Sequence, residues 1–329
     1  MQSGFEPSLR ADAARPALVL SNLGTPAAAT ADAVAAYLDE FLSDPRVVQL
    51  PRWLWRPLLR KVILPRRSPV VAQKYASVWL EGGSPLAVYT QRLAEAVQAR
   101  LPDMQVLHAM RYGGPSLADV LQRLRDEGTP SVRLLPLYPQ YSTTTTASMV
   151  DIADAFRDGL RIEVLPDYHA DAGWAAAVAG SIRAHWAAHG RGERLLFSYH
   201  GLPQRVVDAG DPYARQCEAS TQAIAAALGI PRDAIALAYQ SRFGKGKWLQ
   251  PDVVGTLQAL ARAGVRTVDV TCPGFAVDCL ETLEEIAMQG AEVFRAAGGQ
   301  SLRYIPCLNA DAAHADALAE LARAPGGWQ

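Results

Sequence analysis

No stretch of this sequence is apolar for long enough to cross a bilayer. Its hydrophobic runs are broken by charge, proline or glycine well short of the roughly 20 residues that a spanning helix needs. Charge of one sign is also lacking: 32 lysines and arginines stand against 33 aspartates and glutamates, a net charge of -1 at neutral pH. The counterion release that drives nucleic-acid binding therefore has little to act through, and that class of partner is set aside. Cysteine is scarce. The four present, Cys217, Cys272, Cys279 and Cys307, show no C-x-x-C spacing, and a chain of 329 residues needs no disulfide staples. Reduced thiols and a cytoplasmic location are the expectation. The opening MQSGFEPSLRADAARP mixes acids with arginines and lacks an apolar segment, so neither a secretory signal nor a transit peptide is expected. Nothing in the sequence marks an oligomer, and a monomer is the simplest expectation.

The phosphate-binding signatures are missing too. No G-x-G-x-x-G follows a strand-like run, and SRFGKGKW would need glycine where Ser241 stands and a hydroxyl where Trp248 stands to be a phosphate loop. There is no G-x-S-x-G elbow to supply a nucleophilic serine. Dinucleotide and hydrolase chemistry are thereby disfavoured.

What is present is a βαβ rhythm. Short β-rich runs alternate with alanine-rich helical patterns, and strands are predicted near 17–23, 104–110, 131–137, 160–166, 193–199, 234–240, 266–272 and 302–306. ALVLSNL, VRLLPLY and TVDVTC are apolar on both parities, as strands covered by helices on both faces must be, so parallel sheets are expected. Similar strand spacing in the two halves suggests a duplicated four-stranded unit, with the boundary near 165–175. The fold class is therefore α/β with two Rossmann-like domains, each a four-stranded parallel sheet flanked by helices. We assign residues 1–168 plus 309–329 to the first domain, which the helix near 310–323 rejoins, and 169–308 to the second.

Between its first two strands the N-terminal half carries about forty residues more than its counterpart. That insertion, about 45–90, includes PRWLWRPLLRKVILPRRSPVV, in which tryptophans, leucines and valines are interleaved with arginines. One reading is a core helix with solvated arginines. The other is a lip over a cleft that touches a flat apolar ligand or the membrane surface.

Two motifs carry chemistry. His200 ends the run RLLFSYH, at the carboxyl end of a predicted strand, where open α/β sheets place their ligand crevices. DCLETLEE, residues 278–285, follows the strand TVDVTC and is expected within a helix beginning near Phe275. At about 100° per residue Asp278, Glu281 and Glu285 share one face, whereas Glu284 points away and reads as a solvated charge. A neutral imidazole opposite carboxylates binds a borderline metal such as Fe2+, or accepts and passes on protons.

At this point the residues resemble a known family, the ferrochelatases. The resemblance runs in order through SNLGTP, EGGSPL, MRYGGPS, PLYPQYSTTTTAS, FSYHGLP, GDPY, YQSRFGKGKWLQP, CPGFAVDCLETLEEI and YIPCLN. It implies insertion of Fe2+ into protoporphyrin IX between two Rossmann-like domains. It identifies His200 as proton acceptor or metal ligand and Glu281 as its partner acid and metal ligand, with Asp278 and Glu285 as a proton or metal relay. Leu23, Arg111, Tyr112, Tyr141, Ser142, Thr143 and Trp248 match porphyrin-pocket positions. The hydroxyls from Ser142 onward either cap a helix or hold a propionate. Arg242, Lys245 and Lys247 are candidates to pair with propionates, although solvated lysines are the simpler reading of the latter two. Relatives often carry histidine where Cys279 stands. The C-terminal cysteines that hold a [2Fe-2S] cluster in some members have no counterpart here, so no cluster is expected. Peripheral contact with the inner face of a membrane would explain the greasy lip. Two rival readings share the motifs: another tetrapyrrole chelatase, for coproporphyrin III or sirohydrochlorin, and a non-catalytic protein that binds porphyrin or haem.

Overall fold

The computed structural model describes residues 15–242 and 246–329. Among the described residues eight strands form two parallel sheets. β1 (Ala17–Gly24), β2 (Gln105–Tyr112), β3 (Val132–Pro136) and β4 (Ile162–Val164) are ordered β2-β1-β3-β4. β5 (Arg194–His200), β6 (Ile235–Gln240), β7 (Thr267–Thr271) and β8 (Ser301–Tyr304) are ordered β6-β5-β7-β8. The two orders are the same topology repeated, as the strand spacing predicts. β1 and β5 sit inside their sheets and are buried along almost their whole length, because helices cover both faces.

The apolar interior is shared between the halves. Leu18, Leu20 and Leu135 from the first sheet belong to one packed cluster with Phe197 and Tyr199 from the second. The helices Pro85–Gln98, Ala172–His189, Tyr213–Leu228 and Ala312–Arg323 contribute to the same cluster. The last of these packs on both Ala172–His189 and Pro85–Gln98.

The insertion folds as a nearly continuous helical run, Arg52–Leu58, a π turn Leu59–Ile63, and Leu64–Val78. One face of the run packs into the protein and the other is exposed. Trp55, Leu59, Leu64, Ala72 and Tyr75 pack inward on the helix Ala31–Leu42, with Val34 and Leu38. Trp53, at 79% exposure, and Leu54, Leu58, Val62 and Val70 remain outside. Among the described residues no helix is long and apolar enough to cross a membrane.

Candidate active site

His200 is the last residue of β5 and is partly exposed. Its Nδ1 lies 2.7 Å from the carbonyl oxygen of Gly201. A carbonyl only accepts, so Nδ1 donates, and in the neutral ring Nε2 is the nitrogen with a lone pair for a proton or a metal. Gly201 is required by its surroundings: a β-carbon there would stand 2.6 Å from the Gln240 carbonyl oxygen and 3.4 Å from the Trp248 ring. Trp248 is brought to this turn by pairing of its segment with the residues after the histidine, Leu249 N donating to Leu202 O at 2.9 Å and Gln204 N to Lys247 O at 2.9 Å. The Phe275 ring lies 6.4 Å from the imidazole, tilted by 54°. Arg242 and Lys247 are exposed, in keeping with the solvated reading for Lys247, and Lys245 lies outside the described residues.

The acidic helix differs from expectation in two respects. It begins at Glu281, not near Phe275, and through Gly290 it is a π-helix, closed by bonds between residues five apart. Asp278 therefore precedes the helix and does not share its face. The Asp278 carboxylate is buried and fully engaged, accepting from Tyr304 OH at 2.5 Å, Thr282 Oγ1 at 3.1 Å, Cys307 N at 3.3 Å and Asn309 Nδ2 at 2.7 Å. Asn309, in the left-handed region at φ 49°, also takes the Asp278 N–H at 2.8 Å. Tyr304, Cys307 and Asn309, about thirty residues downstream, hold the aspartate out of the helix.

Glu281 and Glu285 do stand one turn apart on the helix. Glu285 accepts from Ser241 N at 2.7 Å and Ser241 Oγ at 2.5 Å, which holds Ser241 at φ 63°, a conformation that a serine rarely adopts. The Glu281 main-chain carbonyl accepts from Gln240 Nε2 at 2.9 Å, and its side chain is partly exposed. Burial, reinforced by the Glu281 charge, pushes the Cys279 thiol well up, so it remains a neutral donor to that carboxylate. Burial likewise raises the Tyr75 phenol, with Glu281 adding to it. The acid thus faces the insertion. Glu284 is not solvated: at 8% exposure it pairs with Lys74 and accepts from Gln289 Nε2 at 2.6 Å. The partner that overturns the solvated reading lies on another helix and is invisible to a helical wheel.

The remaining pocket candidates come from the first half of the chain. Leu23 is partly exposed and packs with Leu280 in the cluster of the insertion. Arg111 donates from Nη2 to Asp44 Oδ2 at 2.5 Å and from Nε to Ser148. Tyr112 gives its hydroxyl to the same Asp44 oxygen at 2.7 Å and stands edge-on to Phe41. With 1% of its surface exposed, Tyr112 is a core residue in this structure. Tyr141 is partly exposed, its N–H donating to Gln216 Oε1 at 2.6 Å. Ser142 Oγ donates to Asp211 Oδ2 at 3.0 Å, and Thr143 donates to the same oxygen from N and Oγ1, both at 2.7 Å. These hydroxyls neither cap the helix Thr146–Asp154, which has no side-chain cap, nor stand free; they tie the first half to the second.

Sequence reasoning missed Asp44, Asp211, Gln240 and Asn309 as parts of this site. Asp211, Gln240 and Asn309 lie inside quoted motifs, and for Gln240 its place at the end of an apolar strand run was the available signal. Among the described residues no group of three or more His, Cys, Asp or Glu is arranged to hold a metal ion. Cys217, Cys272, Cys279 and Cys307 are all buried and free.

Comparison with known proteins adds an independent line. A family model described as Ferrochelatase matches residues 15–325. The chain is 59% identical over 310 residues to the ferrochelatase of Xanthomonas axonopodis pv. citri (strain 306), covering 93% of this chain and 97% of that one. It is 57% identical over 314 residues to that of Stenotrophomonas maltophilia (strain R551-3), covering 94% and 98%. Among solved structures, SirB from Bacillus subtilis with Fe3+ superposes with a TM-score of 0.54 at 12% identity over 94% of each chain, a likeness of fold alone.

Proposed function

The chain belongs to the ferrochelatase family, and from that premise we propose how its residues carry out the insertion of Fe2+ into protoporphyrin IX. Iron and porphyrin are substrates. For the metal to enter, two pyrrole nitrogens must lose protons and the ion must shed water. His200 Nε2 takes up a pyrrole proton or ligates the arriving ion, and Glu281 faces it as the partner acid and second ligand. The observation that carries this reading is the His200 Nδ1 contact to Gly201 O at 2.7 Å, which in the neutral imidazole makes Nε2 the nitrogen available to a proton or a metal.

Glu285, one turn further along the π-helix, continues the acid row, while Asp278 braces its start. Leu23, Tyr141 and Trp248 supply apolar contact to the macrocycle, and Arg111 lines the wall between them. We divide the chain into 1–168 with 309–329 and 169–308, with the ring between the two parts. We also assign a monomeric, cytoplasmic protein whose insertion touches the inner membrane. In support, Trp53, Leu54, Leu58 and Val62 are exposed on one surface beside Arg52, Arg56, Arg60 and Lys61.

An anaerobic assay with Fe2+ and protoporphyrin IX tests the reading. Wild type forms protohaem, and His200→Ala loses turnover by about 100-fold or more while still quenching porphyrin fluorescence. Faster turnover of coproporphyrin III or sirohydrochlorin would reassign the substrate. Porphyrin binding without turnover in wild type would leave a carrier.

A further inference from the structure

We propose that Gln240 is a positioning residue for metal insertion, one that sets the spacing between His200 and Glu281. The inference rests on the roles given to those two residues above. Gln240 closes β6 and is the register partner of His200 across the β5–β6 pair. It is 2% exposed. Its main-chain carbonyl accepts from Gly201 N at 2.8 Å, immediately after the histidine. Only glycine fits there, so the turn that presents the imidazole is pressed directly onto Gln240.

The side chain reaches the other way. Nε2 donates to the Glu281 carbonyl oxygen at 2.9 Å, and Oε1 accepts from Ser198 Oγ at 2.6 Å, two residues before His200 on the same strand. Cys272 Sγ on β7 approaches the same Oε1 at 3.7 Å. The orientation of the amide follows from chemistry: a carbonyl cannot donate, so the nitrogen must face Glu281 and the oxygen Ser198. One buried residue therefore holds the histidine turn with its main chain and the first turn of the acidic helix with its side chain.

The bond runs to the Glu281 backbone and leaves its carboxylate untouched. A substitution at 240 keeps both reacting groups and alters only where one stands relative to the other. A shift on the order of 1 Å in such a pair costs about 100-fold in rate.

Gln240→Met keeps the volume and removes both hydrogen bonds; Gln240→Asn keeps the amide one methylene short. The expected result is a kcat lower by about 10- to 100-fold for Gln240→Met and by less for Gln240→Asn. The KM and Kd for protoporphyrin IX, the latter from fluorescence quenching, should stay unchanged. A merely structural role would instead lower the melting temperature and leave kcat per folded molecule at the wild-type level. A folded Gln240→Met within about twofold of wild type in kcat overturns the proposal, as does a kcat loss matched by an equal loss of porphyrin affinity. Should Gln240→Met not fold, Gln240→Asn decides by the same criteria. If His200→Ala is inactive and the Gln240 variants are fully active, only this proposal fails; if His200→Ala turns over, the assignment beneath it fails first.

Discussion

Lys74 Nζ lies 3.1 Å from Glu284 Oε2, joining the second helix of the insertion to the acidic π-helix 210 positions away. The glutamate is largely buried and the lysine is 36% exposed, so the pair is screened on one side only. It fixes the lip to the element that carries Glu281. Removing the lysine leaves a desolvated carboxylate with Gln289 as its remaining partner.

Lys74→Ala should therefore destabilise by about 1–2 kcal/mol, below the 3–5 expected for a fully buried pair because water reaches one end. Chemical denaturation measures it. Glu284→Gln, which leaves no buried charge, should cost less, and equal losses would mean that the burial of the glutamate is immaterial.

Asp211 collects donors from Ser142, Thr143 and the Tyr213 N–H, the last at 3.0 Å. Asp211→Ala orphans several buried donors and should cost about 2–4 kcal/mol by denaturant midpoint. If Ser142 and Thr143 instead serve a propionate, the variant would hold its stability and bind porphyrin differently.

His314 is fully buried, with Nδ1 donating to Asn309 O at 2.7 Å and no partner on Nε2. Burial lowers its pKa to about 4, against an ordinary value near 6.5. Between those values the unfolded chain binds a proton that the folded one refuses. Stability from this group is therefore complete above about pH 6.5 and falls by about 2–4 kcal/mol as the pH drops toward 4. His314→Gln should flatten this part of the stability profile between pH 7 and 4. An unchanged slope in that variant would place the acid sensitivity elsewhere.

Trp53 and Leu54 touch little of the protein, so Trp53→Ala with Leu54→Ala should leave the melting temperature nearly unchanged. Sedimentation with vesicles containing anionic lipid should show binding weaker by about tenfold or more. Arg56→Glu should weaken it by roughly fivefold or more, and the more so at low salt. Wild type that ignores such vesicles would refute the membrane role of the lip.

Much of the architecture was legible in the residues. β5 was expected at 193–199 and spans Arg194–His200; β6 was expected at 234–240 and spans Ile235–Gln240. Runs apolar on both parities, bounded by turns, identify buried parallel strands because burial on both faces leaves few other compositions. The acidic helix was harder. A wheel assumes α geometry and knows nothing of Ser241, Gln240 or Lys74, whose contacts fix its start, its π register and the burial of Glu284. Tyr112 shows what a motif leaves out: the match is to a residue type, while its hydroxyl bond to Asp44 is seen only in the structure. Such pairings join residues far apart in the chain, and no local pattern encodes them.

The apolar cluster running from Leu20 through Trp174 and Leu318 to Phe197 has a mechanical consequence. Two sheets welded through one close-packed interior cannot swing apart without opening voids. Whatever movement accompanies entry of a substrate must therefore come from side chains and segments outside that shared interior.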